Sequence, residues 1–240
     1  MKTTARPILT LLFSVLCLGN SAVHAELTAD AVIERLIEAS GGEATIKALR
    51  TMEATFLVEM PGAGLSFQSK LISKHPGMIY LEQVIPGAGS IKQGYNGIIG
   101  WSSDPIQGDR ELTEGEIEEL SRDAGPQGSL QLKEKYPIRS VISETDTEVA
   151  LSLQKSSDSA AEKWVFSKKT GLLTSVEAIS DMGPLGQLPL KMFFSDYEKI
   201  KGLVMPRVTE VENPGIKIKM VLQDFASNTE VDPKIFDPPF

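Results

Sequence analysis

The chain of 240 residues is 41% hydrophobic, 23% charged and 6% aromatic, an ordinary globular composition that is too apolar for a disordered protein. Its 32 acidic and 24 basic residues leave a formal charge of −8, which argues against a broad positive surface for nucleic acid and against electrostatic attachment to anionic lipid. Two His and one Cys are too few for a zinc site of the Cys/His kind, a Cys–His catalytic pair or a disulfide framework.

Lys2 and Arg6 precede an apolar run over residues 8–18, and the chain then turns small and polar through Gly19, Asn20, Ser21, Ala22, Val23, His24 and Ala25. Residues 1–25 therefore read as a secretory signal peptide. The apolar run is shorter than the roughly 20 residues of a spanning helix, and Val23 and Ala25 suit a cleavage before Glu26. Leu16 is too bulky for the position before a lipid-modified cysteine, so Cys17 is not read as a lipid attachment site. Cleavage removes two basic residues, no acidic one, Cys17 and His24, so the mature chain is expected to carry a net charge of −10, no thiol and His75 alone. No later apolar run is long enough to span a bilayer. The expected product is exported rather than integral, periplasmic in a bacterium with two membranes, and indifferent to reductant.

In chain order, Thr28 caps a helix whose first turn holds Asp30 and whose apolar residues Val32, Ile33, Leu36 and Ile37 share one side, and Gly41-Gly42 ends it. A shorter helical stretch over residues 43–49 leads into alternation of period two. Over residues 51–60, Met52, Ala54, Phe56, Val58 and Met60 alternate with Thr51, Glu53, Thr55, Leu57 and Glu59, as in a half-buried antiparallel strand. Met52, Phe56 and Val58 are then expected on the concave side and Glu53, Thr55 and Glu59 in solvent. Pro61-Gly62-Ala63-Gly64 turns the chain into a strand over residues 65–74, in which Phe67 is an apolar-face residue. The same four turn residues recur at 86–89, between strands over 78–85 and 90–95. A further strand spans 98–104. Thr113 and Glu116 form a capping box at the head of a helix running to about residue 124, with Ile117 and Leu120 as its apolar face. Gly125-Pro126 stops it, and residues 127–136 are ambiguous, with a short helix as one reading. Strands return over 138–144, 147–155, 163–168, 172–180, 188–198, 203–212 and 216–225, broken at Thr170-Gly171, Gly183-Pro184, Lys201-Gly202 and Asn213-Pro214-Gly215.

About a dozen strands joined by short turns, with two helical regions and no βαβ alternation, predict an α+β fold: one large antiparallel sheet with helices on one side, in a single domain over residues 26–240. A sheet of that size must curl, close or split, and helices inside a curled sheet either fill its interior or leave space there.

Catalytic chemistry finds little support. His75 sits in the turn Lys74-His75-Pro76-Gly77. The acidic group Glu111, Glu114, Glu116, Glu118, Glu119 and Asp123 lacks the spacing of a calcium loop and reads as a solvated helix face. Gly100-Trp101-Ser102-Ser103 is not a nucleophile elbow, and the glycines at 61–64 and 86–89 lack the order and the Lys of a phosphate cradle. Trp101 and Trp164 fall on strands, where such residues fill a core or a cavity wall. No catalytic residue, metal or cofactor is expected.

Tyr95-Asn96-Gly97 followed by Gly100-Trp101, then Thr170-Gly171-Leu172-Leu173, and above all Phe194-Ser195-Asp196-Tyr197-Glu198-Lys199-Ile200-Lys201-Gly202-Leu203-Val204-Met205-Pro206 resemble the outer-membrane lipoprotein-sorting proteins of the LolA/LolB-like superfamily. The ending Val231-Asp232-Pro233-Lys234-Ile235-Phe236 with Pro238 is similar to that family's last segment. The resemblance implies an incomplete antiparallel barrel, an incomplete β-barrel whose concave, apolar interior is covered by helices and accepts acyl chains. The paired Pro-Gly-Ala-Gly hairpins and the acidic helix match no motif of the carrier, so the chain is closer to the family's uncharacterised relatives, and no lipoprotein-contacting residue is transferred. The functional expectation is a periplasmic non-catalytic carrier or sensor. It would bind acyl chains of lipoproteins or lipids in an apolar cavity lined by Met52, Phe56, Val58, Phe67, Ile117 and Leu120. A protein-interaction module assisting another cell-envelope protein is the alternative. Nucleic acid is not expected as a partner.

Overall fold

Period-two alternation along most of the chain becomes one antiparallel sheet of thirteen strands in a computed structural model that describes residues 27–121, 125–181 and 186–240. The signal peptide, its cleavage before Glu26, the end of the capped helix at residues 122–124 and the Gly183-Pro184 break lie outside the described residues. The first six strands are β1 (Thr51–Met60), β2 (Leu65–Lys74), β3 (Met78–Ile85), β4 (Gly89–Tyr95), β5 (Gly100–Asp104) and β6 (Gly108–Glu111). The other seven are β7 (Ile138–Glu144), β8 (Glu148–Gln154), β9 (Glu162–Ser167), β10 (Leu173–Asp181), β11 (Gln187–Ile200), β12 (Leu203–Asn213) and β13 (Ile216–Ser227). Their spatial order is β6-β5-β4-β3-β2-β1-β13-β12-β11-β10-β9-β8-β7. Chain neighbours pair as hairpins, the β1–β13 ladder joins the two halves, and β6 and β7 remain as edges, so the barrel is incomplete.

Most element ends shift by a residue or two from the sequence expectation, and three features have a local reason. Strand β6 was not expected, because Gly108-Asp109-Arg110-Glu111 has no apolar alternation. It is a strand because β5 offers it a ladder, from Asp104 opposite Gly108 to Trp101 opposite Glu111. Strand β5 starts two residues later than expected, because the Asn96 side chain accepts from the backbone N of Ile98 and Ile99 at 3.0 and 2.9 Å and holds them in a turn. Residues 127–136 resolve into a 3-10 turn, Gly128–Gln131, followed by a short helix.

Directly opposed residues in an antiparallel sheet share a face. The row Met52, Ser73, Ile79, Tyr95, Gly100 therefore faces the concave side, and Glu53, Ile72, Tyr80, Gly94, Trp101, Glu111 faces the back. Four helices sit against the concave side: α1 (Ala29–Ala39), α2 (Glu43–Lys47), α3 (Glu114–Leu120) and α4 (Leu132–Lys135). Helix α1 starts at Thr28, whose hydroxyl accepts from Ala31 N, and buries Ala29, Val32, Ile33 and Leu36 against Leu151, Trp164, Phe166 and Val176. An Asp30–Arg139 ion pair ties its first turn to β7. Helix α2 packs Ile46, with Leu49 beyond it, on Leu203, Leu222 and Phe225. Helix α3 approaches β5 over Gly100, where a Cβ would lie 2.4 Å from Ile117, so only glycine admits the helix there.

The back is not simply solvent-facing. After β13 the C-terminal segment crosses it, and Phe236 is fully buried against Ile72, Tyr80 and Trp101. Glu53, expected in solvent, instead accepts a hydrogen bond from the Thr229 hydroxyl and pairs with Lys70 at 3.2 Å. Elsewhere the back carries a row of opposed alternating charges, Lys163, Glu177, Lys191, Glu212 and Lys217, across strands β9 to β13. That pattern marks the solvated face of the sheet and leaves the concave side as the place for apolar contacts.

Candidate functional site

The helices do not fill the concavity. Between them and the sheet lies a cavity of about 450 Å³. Leu36 and Ser40, four residues apart at the end of α1, reach it from one side, Ile46 and Leu49 from another, and Leu132 from α4. Facing them from the sheet are Met52 on β1, Ile79 on β3, Trp164 on β9 and Leu173 on β10. The β11–β12 hairpin contributes Phe194, Tyr197, Leu203, Val204, Met205 and Pro206. Phe194 and Tyr197 are three apart and would face opposite ways in a strict strand. Asp196, at φ +53°, breaks the alternation between them and brings both to the cavity. The Tyr197 hydroxyl donates to Leu173 O at 2.7 Å, and burial pushes the phenol above its usual range, so this wall stays neutral at any physiological pH.

Trp164 lines the cavity and donates its Nε1 to Glu162 Oε2 at 2.9 Å. Tyr136 donates its hydroxyl to the same oxygen at 3.0 Å, and the Tyr136 and Trp164 rings meet edge to face with centroids 5.8 Å apart. These bonds fix the indole orientation, so the aromatic wall is rigid before any ligand arrives.

Of the six residues expected to line a cavity, Met52 is at its wall. Phe56 packs instead on Leu222 and Phe225 in the cluster under α2. Val58 and Phe67 are opposed on β1 and β2 farther along the sheet and are buried at 2% and 7% exposure. Ile117 covers Gly100, and Leu120 is half-buried on α3 just before Ser121, which reaches the cavity. The rest of the wall comes from α1, α2, α4 and strands β3 and β9 to β12, and of these residues the sequence had pointed to Trp164 alone as filling a core or a cavity wall. A signal did exist, because the longest family-like motif, residues 194–206, supplies the hairpin wall.

The residues considered for catalysis are scattered or occupied. His75 lies on the β2–β3 turn, its backbone N bonded to Arg50 O at 2.8 Å. In the acidic helix, Glu116 closes the capping box with Thr113 and takes Arg110 on both oxygens at 2.7 and 2.9 Å, and Glu118 pairs with Lys155. Among the described residues no group of three or more His, Cys, Asp or Glu side chains could hold a metal ion, and no described helix is long and apolar enough to cross a membrane.

The Arg110 hydrogen bonds hold the Glu116 carboxyl at about 2, well below its ordinary 4.5. A depressed carboxylate stabilises the fold above its unfolded value and loses that contribution as pH falls toward the folded one. Glu116→Gln should therefore cost on the order of 2 kcal/mol at pH 7, where both the charge-assisted pair and the cap are weakened, and progressively less between about pH 4.5 and 2. Urea unfolding of both proteins at several pH values reads this directly, and a pH-independent gap would contradict the assignment.

An unclosed antiparallel barrel with helices lodged in its concavity and apolar space left between them defines a container-type α+β domain. No protein-family model matches the chain, and no curated protein matches it in sequence. Solved structures do. A LolA superfamily protein from Nitrosomonas europaea superposes with a TM-score of 0.62 at 14% identity, covering 88% of this chain and 98% of its own. A DUF1329 family protein from Desulfovibrio piger gives 0.59 at 15% identity, covering 87% and 96%. A domain provisionally described as an outer membrane lipoprotein-sorting protein, from Vibrio parahaemolyticus, gives 0.56 at 11% identity, covering 85% and 95%. The chain shares its fold with these solved proteins, among them the LolA superfamily protein, as its motifs suggest.

Proposed function

We propose that this is a periplasmic, non-catalytic carrier or sensor, exported behind a signal peptide cleaved before Glu26, that holds an acyl chain of a lipoprotein or lipid between sheet and helices. The observation that carries this reading is the cavity. Its volume of about 450 Å³ falls in the range of roughly 300–1,000 Å³ common to small-molecule sites. Its walls are mostly aliphatic and aromatic, and the polar Tyr197 hydroxyl and Trp164 indole on them are bonded to protein. Burying a methylene is worth about 0.8 kcal/mol, so a long chain gains on the order of 10 kcal/mol before ordering costs. Binding then needs no chemical step. The fold supports the reading, since solved relatives include a domain described as lipoprotein-sorting, and an envelope protein that gives or receives the chain is the partner it implies.

Delipidated protein titrated with a fluorescent fatty acid is expected to show saturable uptake, and native mass spectrometry of gently purified protein to show a bound lipid. Absence of uptake at high probe concentration would overturn the proposal.

A further inference from the structure

Among the described residues, Ser73 Oγ is the one buried side-chain oxygen or nitrogen without a hydrogen-bond partner. Ser73 has no exposed surface. A buried hydroxyl left unbonded is costly, and native structures keep few of them.

The position of Ser73 in the sheet fixes where a partner would stand. On β2 it is opposed by Met52 of β1 and by Ile79 of β3, and all three side chains point to the concave side. Met52 and Ile79 border the cavity, as do Pro76 and Gly77 just beyond the end of β2. Serine is the shortest of the three, so its hydroxyl lies at the bottom of a slot between two longer apolar side chains, of which Met52 is flexible enough to move aside. From this slot the sheet side of the cavity runs across to Trp164 on β9. Toward that far end the polar atoms of the sheet wall are already taken. Tyr197 donates its hydroxyl to Leu173 O, and Trp164 donates its Nε1 to Glu162.

We propose that Ser73 anchors the ligand: its hydroxyl donates to the carbonyl oxygen of an acyl ester or amide, with the carbonyl end between Met52 and Ile79 and the methyl end toward Trp164. This rests on the acyl-chain reading of the cavity and adds the ligand's chemical class and its direction. An uncharged hydroxyl does not compensate a buried carboxylate, so the slot suits a neutral ester or amide, and an ionised acid keeps its head in water.

The test is displacement of a neutral apolar dye, 1-N-phenylnaphthylamine, from the delipidated full chain. The competitors are methyl hexadecanoate, N-methylhexadecanamide and methyl hexadecyl ether, which is the ester with a methylene in place of its carbonyl. Whichever carbonyl compound binds the wild type more tightly names the linkage, and Ser73→Ala should weaken it at least about fivefold. The ether, which offers the hydroxyl no carbonyl, should change by less than about twofold. Ser73→Cys is close to serine in size but a weak donor, so it should lose the same preference without loss of volume. The melting temperature of Ser73→Ala without competitor should equal or exceed that of the wild type, because no bond within the protein is removed. An equal loss for carbonyl compound and ether, no loss for the carbonyl compound, or a clearly lower melting temperature overturns the proposal while leaving the carrier intact. A dye and competitors that all fail to bind the wild type would instead overturn the acyl-chain reading itself, and this inference with it.

Discussion

Phe236→Ala is expected to lower the stability of the protein by about 3–5 kcal/mol, the usual cost of truncating a fully packed aromatic side chain. Phe236 has no exposed surface and packs on Ile72, Tyr80 and Trp101 on the back of the sheet. Its backbone oxygen accepts from Trp101 Nε1 at 2.8 Å. The indole in turn lies against Gly94, where a Cβ would come within 2.4 Å of the ring, so the Trp has nowhere to settle if its cover is lost. Set against the roughly 5–15 kcal/mol that holds a typical domain together, the loss is severe and should lower the melting temperature by about ten degrees or more. The effect should stop at stability, because this cluster and the cavity lie on opposite faces of the sheet. Uptake of the fluorescent fatty acid by the folded fraction at low temperature is expected to equal that of the wild type. A loss smaller than about 1 kcal/mol would mean that the C-terminal segment is not packed on the back of the sheet.

The second large effect concerns binding alone. Met205→Trp should reduce acyl-probe affinity more than about tenfold while leaving the melting temperature nearly unchanged or higher. Met205 lies at the cavity wall on β12, a flexible side chain beside empty space, so a larger ring can occupy the cavity without forcing its neighbours apart. Phe56→Ala is its converse. Phe56 stands in the packed cluster with Leu222 and Phe225 and is not part of the cavity wall, so its truncation should destabilise the fold by about 2–4 kcal/mol and leave probe affinity intact. Fluorescence titration and thermal unfolding of the two variants separate the effects. Probe uptake lost in Phe56→Ala and kept in Met205→Trp would place the acyl site elsewhere in the concavity.

The two variants also show where sequence stopped informing. Alternation along residues 51–60 determined which side chains of β1 share a face, because successive strand residues point opposite ways whatever else surrounds them. The caps at Thr28 and Thr113, the Pro-Gly-Ala-Gly turns and the antiparallel class were legible for the same reason: each is local stereochemistry written within a few residues. Strand β6 was not legible, since Gly108–Glu111 becomes a strand only by pairing with β5. Nor were the Thr229 hydrogen bond to Glu53 and the covering of Trp101 on the back, which depend on a segment more than a hundred residues away crossing the sheet. The cavity belongs to this second kind. Met52 and Phe56 are equivalent by period, yet Met52 borders open space and Phe56 is packed under α2, because helix positions relative to the strands decide which part of a concave face is filled. Periodicity specifies the face of a side chain, and only the meeting of distant elements specifies what stands opposite it.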